Sequence, residues 1–187
     1  MASYTSLCPY TGNADMNASS RIGVSCVLDT PTNFPYVGDD ATINSVTASF
    51  YLSSGTSSSI QIKCEVFQPS GSSPSSLGVV ENKSGISLST TPTSVTFTGD
   101  VDTTPQGVNG IQIAFILILA DDKEVKIQNN DAGCTSDTGA GQSYYTTSGT
   151  FTNYKTDTVP ITVTYTGAPP PGAGGTRLPP PPLIARF

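Results

Sequence analysis

The chain has 187 residues, room for one domain of ordinary size with tails. Only 12% of residues are charged, and Val, Ile and Phe together outnumber Leu and Ala, a composition that suits short strands joined by turns and suits helices poorly. The net charge of -6 lacks the basic footprint of a nucleic-acid binder, and the absence of His excludes Ser-His, Cys-His and histidine-metal chemistry.

Residues 1–20 show no periodicity and read as an N-terminal arm. Their opening, Met-Ala-Ser-Tyr-Thr-Ser-Leu-Cys-Pro, has no basic stretch followed by an apolar one, so the expectation is a chain without a secretory leader, made in a cytoplasm. Strands are then expected at regular intervals. Ile22, Val24, Cys26 and Leu28 alternate with other residues, Val46, Ala48, Phe50 and Leu52 share one face, and Ile60, Ile62, Cys64 and Val66 oppose Gln61, Lys63 and Glu65. A shorter strand falls at Thr93–Thr98. The run Ile111–Leu119 is apolar on both faces after Gln112 and predicts a central strand covered on its second side; at eight residues from Ile113 to Ala120 its longest apolar part is too short to cross a membrane as a helix. Val125 with Ile127, the stretch Tyr144 to Phe151, and Val159, Ile161, Val163 and Tyr165 complete eight or nine strands. Turn signals separate them at Ser54-Gly55, Pro69-Ser-Gly71, Asn109-Gly110 and Asp137-Thr-Gly139.

So many strands, each needing one face covered, predict an all-β fold over residues 21–166: two packed antiparallel sheets, a jelly-roll-like β-sandwich. The succession Ile43–Gly55, Ile60–Phe67, Gly85–Leu88, Ser94–Phe97 and Gly110–Phe115 resembles the jelly-roll modules of phage virion proteins and bacterial surface proteins. That resemblance covers roughly residues 20–166 and implies the same sandwich in a structural role. Such modules often carry an aromatic residue, commonly Trp, in the loops of a ligand face, and this chain has no Trp.

Candidate chemistry is sparse. Cys8, Cys26, Cys64 and Cys134 lack zinc-site spacing; Cys26 and Cys64 read as small buried hydrophobes, and Cys8 and Cys134 lie in turn-rich sequence. No catalytic motif is found, and a non-enzymatic role is expected. The pairs Asp39-Asp40, Asp100 with Asp102, and Asp121-Asp122 could supply oxygen to Ca2+, but none has the dense alternation of a calcium loop, so they read as turn and surface residues and no cofactor or metal is expected. Tyr144, Tyr145 and Tyr154, with Phe151, Tyr36 and Tyr51 in the wider aromatic set, form the candidate ligand face for a glycan, against the plainer reading of cross-strand packing.

The tail, residues 167–187, differs from everything before it. Residues 1–167 hold six Lys and Arg against fourteen Asp and Glu, whereas residues 168–187 hold Arg177 and Arg186 and no acidic side chain. Pro179, Pro180, Pro181 and Pro182 predict an extended polyproline II piece, and a solvating tail has no need of Leu178, Leu183, Ile184 and Phe187 beside it. Leu178 to Ile184 together with Arg186 and Phe187 are therefore the candidate anchor to a partner: another copy of the chain, or a capsid or other virion protein. The expected function is a structural or decorating subunit of a phage or other virus particle. A glycan-binding or adhesive module at the cell surface is the alternative, and a bacterial surface filament subunit the further one; no nucleic-acid or membrane partner is expected.

Overall fold

The computed structural model describes residues 2–5, 12–17, 20–28, 41–68, 75–103, 111–129, 142–155 and 159–167. These contain twelve strands and no helix: β1 (Ala2–Thr5), β2 (Gly12–Asp15), β3 (Arg21–Leu28), β4 (Thr42–Leu52), β5 (Ser57–Gln68), β6 (Ser75–Leu88), β7 (Thr93–Asp102), β8 (Ile111–Leu119), β9 (Val125–Asn129), β10 (Gln142–Thr146), β11 (Phe151–Lys155) and β12 (Thr162–Thr166). They form two sheets, and every ladder among them is antiparallel. The expected β-sandwich is thus the fold.

The first sheet is built around β4. One side of β4 pairs with β7; the other pairs with β12 over Thr42–Thr47 and with β9 over Phe50–Leu52. β1 extends the sheet beyond β12, and β2 extends it beyond β9. Residues expected to be an irregular arm therefore supply two short edge strands. Their four-residue lengths and polar sequences carry no alternation to announce them. The second sheet runs β11-β10-β3-β8-β5-β6, with β8 central as its apolar run predicts.

Between the sheets lies the main core. Phe50 and Phe97 from the first sheet meet Phe115 from the second, with ring centroids 5.4 to 6.1 Å apart. Around them pack the alternating residues of β3, β4, β5 and β8, including Cys26 and Cys64, both free thiols with no exposure. The even positions of β8 serve a second cluster on the outer side of the same sheet, where Ala114 and Ile116 pack with Phe67 and Phe151, flanked by Ile22 and Tyr145. Two apolar faces explain why β8 lacks the polar alternation of β5.

One side of the sandwich is closed by a close approach of β6 to β7. The Thr98 amide donates to the Glu81 carboxylate at 2.8 Å, and a side chain at Gly99 would place its Cβ 2.0 Å from the Val80 carbonyl oxygen. Only glycine lets the two backbones come this near.

The outer face of the first sheet is paved with hydroxyl residues. Ser3, Thr164, Ser45 and Thr98 align across four strands, and Thr162, Thr47 and Thr96 align in the next row of the same register. Ser45 and Thr164 are hydrogen-bonded at 2.5 Å, and Thr47 and Thr96 at 2.8 Å. Such cross-strand pairs favour the sheet by a few tenths to about 1 kcal/mol each.

Candidate functional site

The end of the sandwich where β8 turns into β9 combines backbone strain, half-exposed apolar side chains and charge. Lys123 N–H bonds the Ala120 carbonyl at 2.9 Å, and both central residues, Asp121 and Asp122, have positive φ, 51° and 55°. This is a primed two-residue turn, here joining strands of the two different sheets, whose usual occupants are Asn and Gly. Asp tolerates the left-handed region better than most residues, at some energetic cost.

Three neighbours hold the turn. The Ser57 hydroxyl donates to the Asp121 carboxylate at 2.7 Å; Asn17 donates through Nδ2 to the Lys123 carbonyl at 2.7 Å and accepts the Val125 amide on Oδ1 at 2.9 Å. The Ser53 amide adds a bond to the Glu124 carbonyl at 3.1 Å. Just before the turn, the β5–β8 register passes from Gln61 opposite Leu119 to Ile62 opposite Leu117, so Ile118 is an extra residue, a β-bulge. Ile118 and Leu119 are each 49% exposed.

Ile118, Leu119 and Ala120 line a shallow, open depression of about 630 Å³ with the turn residues and Asn17. Its charged lining is Asp121, Asp122 and Glu124 against Lys123. A second open depression of about 650 Å³ adjoins Asp121 and is walled by hydroxyls, among them Ser57, Ser59, Ser87, Ser89 and Thr93.

Ion pairs stiffen the surroundings. Lys126 contacts Asp15 at 3.1 Å and Glu124 at 3.5 Å; the bond to Asp15, against some burial, holds its ammonium above the ordinary lysine range. Burial pushes the Tyr51 hydroxyl up. At the closed side, partial burial would raise the Glu81 carboxyl, but the Thr98 amide and Lys83 outweigh it and hold it below the ordinary value. Burial pushes the Cys26 thiol up to about 12 and the Cys64 thiol well up, with Cys26 and the carboxylates of Glu65 and Glu81 adding to the second shift. Both sulfurs are thereby kept protonated and unreactive near neutral pH.

The expected tyrosine face is divided by the sheet. Tyr144 and Tyr145 are successive residues of β10, so their side chains fall on opposite sides. Tyr144 is 5% exposed, joins the main core and carries the Arg21 guanidinium 4.0 Å from its ring centroid. Tyr145 is half-buried in the outer cluster, 5.0 Å from Phe151 and 6.0 Å from Phe67 between centroids. Tyr154 is a residue of β11 whose side chain lies outside the described residues.

The expected anchor Leu178–Ile184 with Arg186 and Phe187 also lies outside them, as do Tyr36, Cys8, Cys134, Asp39-Asp40 and the turns at Pro69–Gly71, Asn109-Gly110 and Asp137–Gly139. Asp100 accepts a hydrogen bond from Asn44 at 2.8 Å, and Asp102 sits opposite Thr42. Among the described residues no three Cys, Asp or Glu side chains are grouped to hold a metal ion. The half-exposed Ile118 and Leu119 escaped sequence reasoning because a bulge leaves no trace in an unbroken apolar run. No family model, curated protein or solved structure matches the chain.

Proposed function

We propose that this protein is a non-enzymatic structural subunit that builds or decorates a multi-copy particle, a phage or other virus particle foremost, and that residues 168–187 anchor it to its neighbours. The supporting observation is a contrast in sequence along the chain: residues 1–167 hold all fourteen Asp and Glu, whereas residues 168–187 are proline-rich, bring Arg177 and Arg186 with no acidic side chain, and carry the large apolar side chains Leu178, Leu183, Ile184 and Phe187. The Pro179–Pro182 run carries little conformational freedom to lose on docking, because proline already restricts its backbone. Many copies, each with a modest contact, gain occupancy through multivalency.

Glycan binding stands second. It would draw on exposed aromatic rings, and Tyr144 and Tyr145 are both engaged in packing.

The test is co-sedimentation of the full chain, and of a chain ending at Gly167, with assembled particles or candidate particle proteins. The anchor reading expects only the full chain to pellet; equal recovery of both would remove it.

A further inference from the structure

We propose that the depression beside the Asp121-Asp122 turn receives the C-terminal segment of a second copy of this chain, so that neighbours join end to end. This rests on the reading of residues 168–187 as an anchor and adds the surface that holds it.

The chemistry of the two surfaces corresponds. Ile118 and Leu119, adjacent and 49% exposed, offer an aliphatic floor to side chains such as Leu183, Ile184 and Phe187. Around that floor stand Asp121, Asp122 and Glu124 with Lys123, and Glu124 is in addition paired with Lys126. The C-terminal segment brings Arg177 and Arg186 and no acidic side chain. Arginine matches a carboxylate with a two-pronged donor set, so Asp121 and Asp122 are the natural counterparts. The receiving surface is also fixed in advance, since Ser57 and Asn17 hold the turn whether or not anything is bound.

The direction in which the C-terminal segment departs favours an occupant from a second copy. β12 ends at Thr166 opposite Thr42, where β4 begins, whereas Glu124 adjoins Ser53, just past the other end of β4. The eleven residues of β4 therefore separate the point where the C-terminal segment departs from the surface proposed to receive it, roughly 33 Å at about 3.3 Å per residue. A donor at one end and an acceptor at the other give a heterologous contact, which closes into a ring or continues as a filament. Because β12 runs antiparallel to β4, the chain leaves Thr166 heading away from that surface, and docking within one chain would require it to reverse and run the length of its own body.

The experiment is sedimentation velocity of the full chain over a wide concentration range, with folding of each variant checked by circular dichroism. The proposal expects mass to grow with concentration. Asp121→Asn with Asp122→Asn keeps residues that accept positive φ while removing both charges; it weakens association about tenfold or more. Ile118→Thr with Leu119→Thr weakens it comparably, as does Arg177→Ala with Arg186→Ala. Joining the Asp and Arg changes costs less than the sum of their separate effects, as directly paired groups require. If the chain ending at Gly167 loses association while the Asp121, Asp122, Ile118 and Leu119 variants keep it, the anchor survives and this receiving surface is wrong. If these variants alter shape without any dependence on concentration, docking is within one chain and the proposal fails. If the chain ending at Gly167 associates like the full chain, the anchor reading fails with it.

Discussion

The Ser57 hydroxyl donates a hydrogen bond to the Asp121 carboxylate at 2.7 Å, tying the start of β5 to a turn in which two successive aspartates have positive φ. A side chain from β5 thus supports strained backbone in the connection that carries the chain from the second sheet to the first. The turn remains rigid without glycine and presents two carboxylates that an Asn-Gly turn would lack.

Asp122→Gly removes the Cβ from a left-handed position and leaves the Ser57 bond to Asp121 in place. Relief of strain exceeds the extra freedom of glycine in the unfolded chain, so the variant gains about 0.5–1 kcal/mol, roughly 2 °C in midpoint. Asp122→Val, β-branched in the same position, loses at least as much. Thermal unfolding of the three proteins checks the order Gly above Asp above Val.

Gly99→Ala has the opposite sign. Its Cβ would sit 2.0 Å from the Val80 carbonyl oxygen, and backbone rather than a flexible side chain must yield. A loss of about 2–3 kcal/mol is expected in denaturant unfolding, with the closed side of the sandwich opening first. Amide exchange on β6 and β7 faster than on β8 would identify where the loss falls.

Cys26 and Cys64 resist alkylation in the native protein at pH 8 and react once it unfolds, a contrast that peptide mapping after iodoacetamide reads residue by residue. The same burial sets an alkaline limit. The unfolded thiol ionises near 9.0 while the folded Cys26 holds its proton to about 12. The unfolded state therefore gains with rising pH, and stability, unaffected by this thiol below pH 9, falls by about 1.4 kcal/mol per pH unit until about pH 12. Cys26→Ala has a shallower alkaline decline.

Glu81 acts at the other limit. Its folded carboxyl lies below the ordinary value of 4.5, so it favours the fold at neutral pH and that contribution is lost as pH falls below 4.5 and through its folded value. Glu81→Gln, which removes the titration but keeps a hydrogen-bonding side chain near Thr98, shows a flatter loss of denaturant midpoint from pH 6 to pH 3.

The longer strands were legible because each has a buried face. β5 alternates cleanly, and β8 shows its central place by being apolar on both sides. β1 and β2 left no such sign, since edge strands of four residues are paired chiefly through backbone. The stretch Tyr144 to Phe151, read as one strand, is two, with a turn between Thr146 and Thr150. Ser148-Gly149, with Gly149 at φ 78°, marks the reversal. At the candidate site, the sequence marked Asp121-Asp122 as a turn, but the bulge that exposes Ile118 follows from how β5 and β8 are staggered, a long-range relationship that no local pattern encodes.

The central claim is that residues 168–187 join this protein to its neighbours. Size-exclusion chromatography with light scattering, on the full chain and on one ending at Gly167, each alone at rising concentration and mixed with candidate particle proteins, tests it most directly. The account predicts a larger mass or co-migration for the full chain and a monomer throughout for the shorter one. Two monomers that ignore every partner, or two chains that assemble alike, would contradict it.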